Sequence, residues 1–127
     1  MTLIITGGRG TGKTALLIKH SAETGRYILV TNRSRAEGIF KQSKDMGYNI
    51  PFPITVSEFK VGAGFVNSSI RRDGLLVDDM NDVLNCMFNG IPIHEFTIDK
   101  DAFKDDIVWD RDNPNLYTKR WLDENNI

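Results

Sequence analysis

Cysteine is nearly absent. Cys86 stands alone among 127 residues, which excludes an internal disulfide and any metal site built from several thiolates. A reducing cytoplasm is therefore the expected setting. Long hydrophobic runs are missing too. No stretch approaches the ~18 apolar residues of a membrane span, so no membrane partner is expected. The opening "MTLIITGG" has neither the basic n-region nor the apolar h-region of a secretion signal. Excess charge of one sign is also lacking. A formal net charge of −1 excludes the molecule as a whole as a basic glove for nucleic acid, while a local basic face stays open. Neither an internal repeat nor a low-complexity linker is present.

What is present is alternation. With 40% hydrophobic and 26% charged residues, the composition is that of a globular domain with a real core. Leu3–Thr6 reads as a short β-prone run ending at glycines. Lys13–Thr24 reads as a mostly buried helix closed by Gly25. "YILVT" at Tyr27–Thr31 is continuously apolar, as a buried parallel strand should be. Ser34 and Glu37 in "SRAE" suit a capping box for a second helix ended by Gly47. A third strand is expected near Ile54–Ser57. Residues 58–73 fit either a short helix or an ordered loop. "LLVDD" at Leu75–Asp79 predicts a buried strand ending in two carboxylates. A short helix over Asn81–Phe88 and a strand over Ile91–Ile98 follow. The tail from Asp99 carries six aspartates through Asp112, then "NPNLYTKRWLDE", which suits a final helix.

Strands alternating with helices predict an α/β fold: one three-layer α/β/α domain over residues 1–127, with a mostly parallel central sheet. The acidic and aromatic tail, 99–127, would pack on it. Ligands of such sheets bind beyond the carboxyl ends of the strands. The glycine run after the first strand and the pair Asp78-Asp79 both fall at such ends.

"GGRGTGKT" at Gly7–Thr14 satisfies G-x-x-x-x-G-K-[ST], with the required strand before it and helix after it. Glycines let the backbone curl so that successive N–H groups point at phosphate oxygens. The following helix adds its positive end. Gly8, Arg9, Gly10, Thr11, Gly12, Lys13 and Thr14 are the expected nucleotide-binding residues, with the Arg9 side chain directed outward. Lys13 supplies a point charge for the outer phosphates, and the Thr14 hydroxyl suits Mg²⁺. The plainer reading is a glycine-rich turn with a chance lysine.

The run resembles the Walker A motif of P-loop NTPases, in the version of AAA+ and helicase-like ATPases, most strongly over Leu3–Thr24. "LLVDD" resembles a Walker B motif. The resemblance implies that Asp78 holds Mg²⁺, largely through water, and that Asp79 orients the attacking water where many such enzymes carry glutamate. The plainer reading of the pair is a polar strand end that caps the next helix. The base-reading N-K-x-D of GTPases is absent, as is the arginine-rich lid of small-molecule kinases after the acidic strand. What remains is the additional-strand division, with its RecA-like, helicase, AAA+ and viral packaging ATPases. It implies a RecA-like P-loop fold, and Thr97 at a polar sensor position, although a β-branched strand residue needs no such role.

Arg33, Arg35, Lys41, Lys44, Arg71 and Arg72 would form one basic surface if their elements are neighbours; a solvated surface is the alternative. Arg71 or Arg72 could also act as an arginine finger for a neighbouring subunit. His20 and His94 lack metal-ligand spacing and read as structural. Trp109, Tyr117 and Trp121 read as packing residues of the tail. The functional expectation is a minimal Mg²⁺-dependent ATPase that binds and hydrolyses ATP, with catalytic residues Lys13 and Asp79. A second copy or protein partner would complete its site, and DNA is a candidate ligand by analogy with phage and mobile-element ATPases. The alternatives are an ATP-binding regulatory module with little turnover and a small-molecule kinase.

Overall fold

The computed structural model describes residues 3–61, 69–99, 107–110 and 112, with the backbone alone for 107–109. The chain divides into two compact units, one of Met1–Lys13 with Glu95–Ile127 and one of Thr14–His94.

In the first unit, strand β1 (Leu3–Thr6) pairs in parallel with β5 (Ile107–Asp110). The register runs from Leu3 opposite Ile107 to Thr6 opposite Asp110. β5 lies within the stretch read above as an acidic tail. Its Ile-Val-Trp core is β-prone, a signal masked by the aspartates on either side. The residues from Ile91 to Asp99 form no strand, which corrects the strand expected over Ile91–Ile98. Ile91, Ile93, Phe96 and Ile98 are exposed there, and Thr97 with them. Pro92 supplies no N–H for a ladder. The helix expected from Asn113, with Tyr117 and Trp121, lies outside the described residues, as does the Trp109 side chain.

The second unit is α/β with a three-stranded parallel sheet in the order β3-β2-β4. β2 (Tyr27–Val30) is central. β3 (Ile54–Thr55) and β4 (Leu75–Val77) flank it, with Leu29 opposite both Ile54 and Val77. Parallel neighbours need crossovers, and helices supply them. Helix α1 (Lys13–Thr24) leads into β2, with Gly25 at φ 74° closing it. Ile28, Leu29 and Val30 are all buried, as expected of a central strand covered on both faces.

Helix α2 (Arg33–Asp45) buries Ala36, Ile39 and Ser43, one stripe at helical spacing. Its cap is Asn32, whose side chain accepts from the Arg35 amide at 2.9 Å, so the helix begins before the expected Ser34. Asparagine caps as well as serine does. Glu37 then lies four residues past Arg33 and pairs with it at 3.1 Å. The third strand is also shorter than expected. Val56 begins helix α3 (Val56–Val61) because Thr55 and Glu58 form a cap. The Thr55 hydroxyl accepts from the Glu58 amide at 3.3 Å and donates to the Glu58 carboxylate at 3.1 Å. Helices α4 (Ser69–Asp73) and α5 (Met80–Met87) bracket β4. Leu29, Val56 and Val83 form a buried cluster, with Phe59, Leu75, Val77, Cys86 and Met87 packed against it. It holds the sheet against α3 and α5. Among the described residues no helix is long and apolar enough to cross a membrane.

Candidate phosphate loop and metal corner

The glycine loop belongs to the first unit up to Lys13. Gly10 and Gly12 stand at φ 78° and 82°, a region that costs other residues about 1–2 kcal/mol. The loop's curl therefore needs glycine at these two places. Side chains of the loop itself help to close it. The Thr11 hydroxyl donates to the Gly8 carbonyl at 2.8 Å. The Lys13 ammonium reaches back to the Gly7 and Gly8 carbonyls at 2.7 and 2.6 Å. Lys13 thus lies across its own loop, held by neutral carbonyls that a phosphate anion would outcompete. Arg9 is exposed.

An anion already sits on this loop. The Gly8 amide faces both carboxylate oxygens of Asp112, each at 3.1 Å. A Cβ at Gly8 would stand 3.5 Å from the same carboxylate. Asp112 follows β5, and its own amide donates to the Asp110 carboxylate at 2.9 Å. A carboxylate, like a phosphate, presents anionic oxygens to a backbone N–H. One backbone amide of the loop thus already faces an anion.

The second unit carries what the sequence marks as the metal residues. Thr14 lies in the first turn of α1, and Asp78 follows directly on β4. The Asp78 amide extends the sheet by donating to the Leu29 carbonyl at 3.1 Å. The Thr14 hydroxyl donates to Asp78 Oδ1 at 3.0 Å. Asp78 is 8% exposed. A buried carboxylate needs a counter-charge, and Arg35 provides it. Its Nε donates to Asp78 Oδ2 at 2.9 Å, and its terminal nitrogen is 2.8 Å from the same oxygen. That nitrogen also donates to the Thr14 hydroxyl at 3.1 Å.

Hard oxygen ligands suit Mg²⁺. The threonine hydroxyl and the carboxylate, joined by their 3.0 Å hydrogen bond, are both hard oxygens. The Arg35 guanidinium supplies the positive charge that this buried carboxylate needs. Arg35 is the residue that sequence reasoning missed in this role. A signal existed: arginine in a helix's first turn opposes the dipole, and α2 has no acid there to offset it.

Asp79 takes a different place from its neighbour. It is exposed and caps α5, accepting from the Asp82 amide at 3.3 Å. Its φ of 60° is a left-handed conformation uncommon outside glycine and asparagine. The Asp79 carboxylate, through a hydrogen bond with the Asp82 side-chain carboxyl and through its charge, raises the Asp82 pKa above the ordinary aspartate value. Arg72 pairs with its neighbour Asp73 at 3.0 Å, and Arg71 is exposed. Arg33 stacks over Phe52 at 4.9 Å and Lys44 over Phe40 at 4.9 Å. Several cations expected on one basic surface therefore have local partners. Cys86 directs its thiol to the Thr31 carbonyl at 3.6 Å.

The chain matches no protein-family model, no curated protein and no solved structure. The functional reading rests on the residues themselves.

Proposed function

We propose that the protein binds Mg·ATP and hydrolyses it by in-line attack of water, as a minimal RecA-like P-loop ATPase of three-layer architecture. In this reading the loop amides and Lys13 hold the phosphates. Thr14 binds Mg²⁺ directly, and Asp78 does so through water. Mg²⁺ would supply charge neutralisation of the transferred phosphoryl group. The observation that supports the reading most is the capture of the Asp112 carboxylate by the Gly8 amide, inside a loop whose sequence is G-x-x-x-x-G-K-T. Asp79 would orient water once released from the α5 cap. A neighbouring subunit or protein partner would supply an arginine, and DNA is the candidate effector.

The test is calorimetric titration with Mg·ATP and Mg·GTP, followed by release of inorganic phosphate. Saturable ATP binding with phosphate release is expected. Absence of binding at millimolar nucleotide ends the reading.

A second reading keeps the binding and drops the turnover. The engagement of Asp79 as the α5 cap favours it, because a carboxylate fixed by a helix amide is not free to position water. The protein would then be a nucleotide-binding module that presents its surface to a partner. Single-turnover measurements with and without DNA separate the two, since DNA-stimulated phosphate release rejects the module. Phosphoryl transfer to a small acceptor, the kinase alternative, would consume ATP without free phosphate.

A further inference from the structure

Among the described residues, the Arg35 side chain touches both candidate metal residues. We propose that Arg35 is an exchangeable counter-ion: its guanidinium holds the Thr14–Asp78 corner in the metal-free protein, and a divalent cation must displace it to bind. The inference rests on the reading of Thr14 and Asp78 as metal residues and adds a device to it.

Three observations carry it. The guanidinium contacts the Thr14 hydroxyl and Asp78 Oδ2 at once, so it uses acceptor capacity that a metal or its bound waters would need. Asp78 is buried, whereas the Arg35 side chain is 47% exposed. The arginine can therefore swing into water while the carboxylate stays fixed. Finally, Arg35 lies in the first turn of a helix, where a cation is disfavoured and where no acid on that turn offsets it. Local helix preference argues against this residue, so its contact with the corner accounts for its placement.

A consequence follows for the order of binding. Bare Mg²⁺ gains the carboxylate but leaves the guanidinium unpaired. Mg²⁺ arriving with a polyphosphate offers the released guanidinium a new anionic partner. Arg35 thereby makes metal binding conditional on nucleotide.

The test uses Mn²⁺ as a paramagnetic stand-in, titrated into the full-length protein without nucleotide and followed by loss of the free-ion resonance signal. Wild type should bind weakly. Arg35→Ala and Arg35→Gln should bind bare Mn²⁺ about ten-fold more tightly, the scale of one charge-assisted contact. Arg35→Lys should fall between, since lysine keeps the charge but loses the fork. Adding Asp78→Asn to Arg35→Gln should abolish the gain. A clip that only fastens α2 to β4 would lower Tm and leave Mn²⁺ affinity unchanged, and that result overturns the proposal. So does tight Mn²⁺ binding by wild type, or none by any variant. If Arg35→Ala fails to fold, the glutamine and lysine variants decide. ATP binding measured without metal reports on the phosphate loop separately, so the two readings fail independently.

Discussion

The glycine loop and the Thr14–Asp78 corner are built on opposite principles. The loop works through its backbone. Gly10 and Gly12 set its curl, its acceptors are carbonyls, and its anion meets an amide. The corner works through side chains that the fold must bring together from 64 and 43 residues apart. The loop holds an anion at the surface, with Gly8 and Asp112 exposed. The corner keeps its anion buried and its cation half out. A backbone site is robust to most distant substitutions, because few side chains define it. A side-chain site answers to each of its members, and loss of either charged partner leaves the other unpaired.

The largest expected effect strikes the loop. Lys13→Ala should weaken ATP binding on the order of 100-fold or more, the cost of two decades being about 2.7 kcal/mol, and abolish phosphate release. Tm should hardly move, because among the described residues Lys13 bonds to two carbonyls of its own loop. Calorimetry and a thermal melt on the same preparation check both halves. Unchanged affinity would mean that the loop is no phosphate site. Asp78→Asn comes next and should show the corner's contrasting fragility. Mg²⁺ should cease to strengthen ATP binding. Stability should also fall by about 1–2 kcal/mol, less than for a fully buried pair because solvent screens the exposed guanidinium. Chemical denaturation at neutral pH measures that loss. A loss of binding without a loss of stability would make the two regions alike.

This contrast also explains what could be read from the sequence. A backbone site is written locally, as glycines and a lysine at fixed offsets, so β1, α1 and the loop between them were legible. The caps were half legible. Thr55-x-x-Glu58 carries the same signal as Ser34-x-x-Glu37, yet the strand-like run "PITV" hid the start of α3. Asn32 outcompeted Ser34 because β2 ends just before it. Asp78 was legible from the apolar run that precedes it. The contacts of Arg35 were not, since no local spacing relates it to Thr14 or Asp78; its unfavourable place in the first turn of α2 was the one local hint. β5 was hidden by flanking aspartates, and the apolar residues of 91–98 suggested a strand that the described backbone does not form. Pairing partners for a parallel strand lie far away in sequence, and composition does not reveal them.

A smaller effect, of opposite sign, sharpens the view of the loop as an anion site. Asp112→Asn removes the carboxylate that faces the Gly8 amide. Asparagine keeps the size and loses the charge, so nucleotide no longer displaces an anion and meets one negative charge fewer. ATP should bind about three- to ten-fold more tightly, within the range of a single exposed charged contact. The gain should shrink in high salt, which screens an exposed charge. Titration at two ionic strengths checks it. Weaker binding in the variant would make Asp112 a support of the loop rather than a competitor.

The smallest effect concerns the acid beside the corner. Asp82 has a raised pKa because the Asp79 carboxylate shares a hydrogen bond and a like charge with it. The folded state therefore holds the Asp82 proton more firmly than the unfolded chain does. Its stabilisation is complete below the ordinary aspartate range and is lost as pH rises through the raised value. Asp79→Asn should remove most of that pH dependence. The carboxamide oxygen can still accept from the Asp82 amide, asparagine caps helices well, and it tolerates the left-handed backbone that Asp79 adopts. The α5 cap should survive while the repulsion disappears. Carbon-detected NMR titration should show Asp82 moving down toward the ordinary value, and the melting temperature should gain more at neutral pH than in acid. An Asp82 titration that ignores the substitution would show that Asp79 is not what raises the Asp82 pKa. If the substitution also leaves phosphate release intact, residue 79 serves the cap alone, and the side-chain region has only Thr14, Asp78 and Arg35 as working parts.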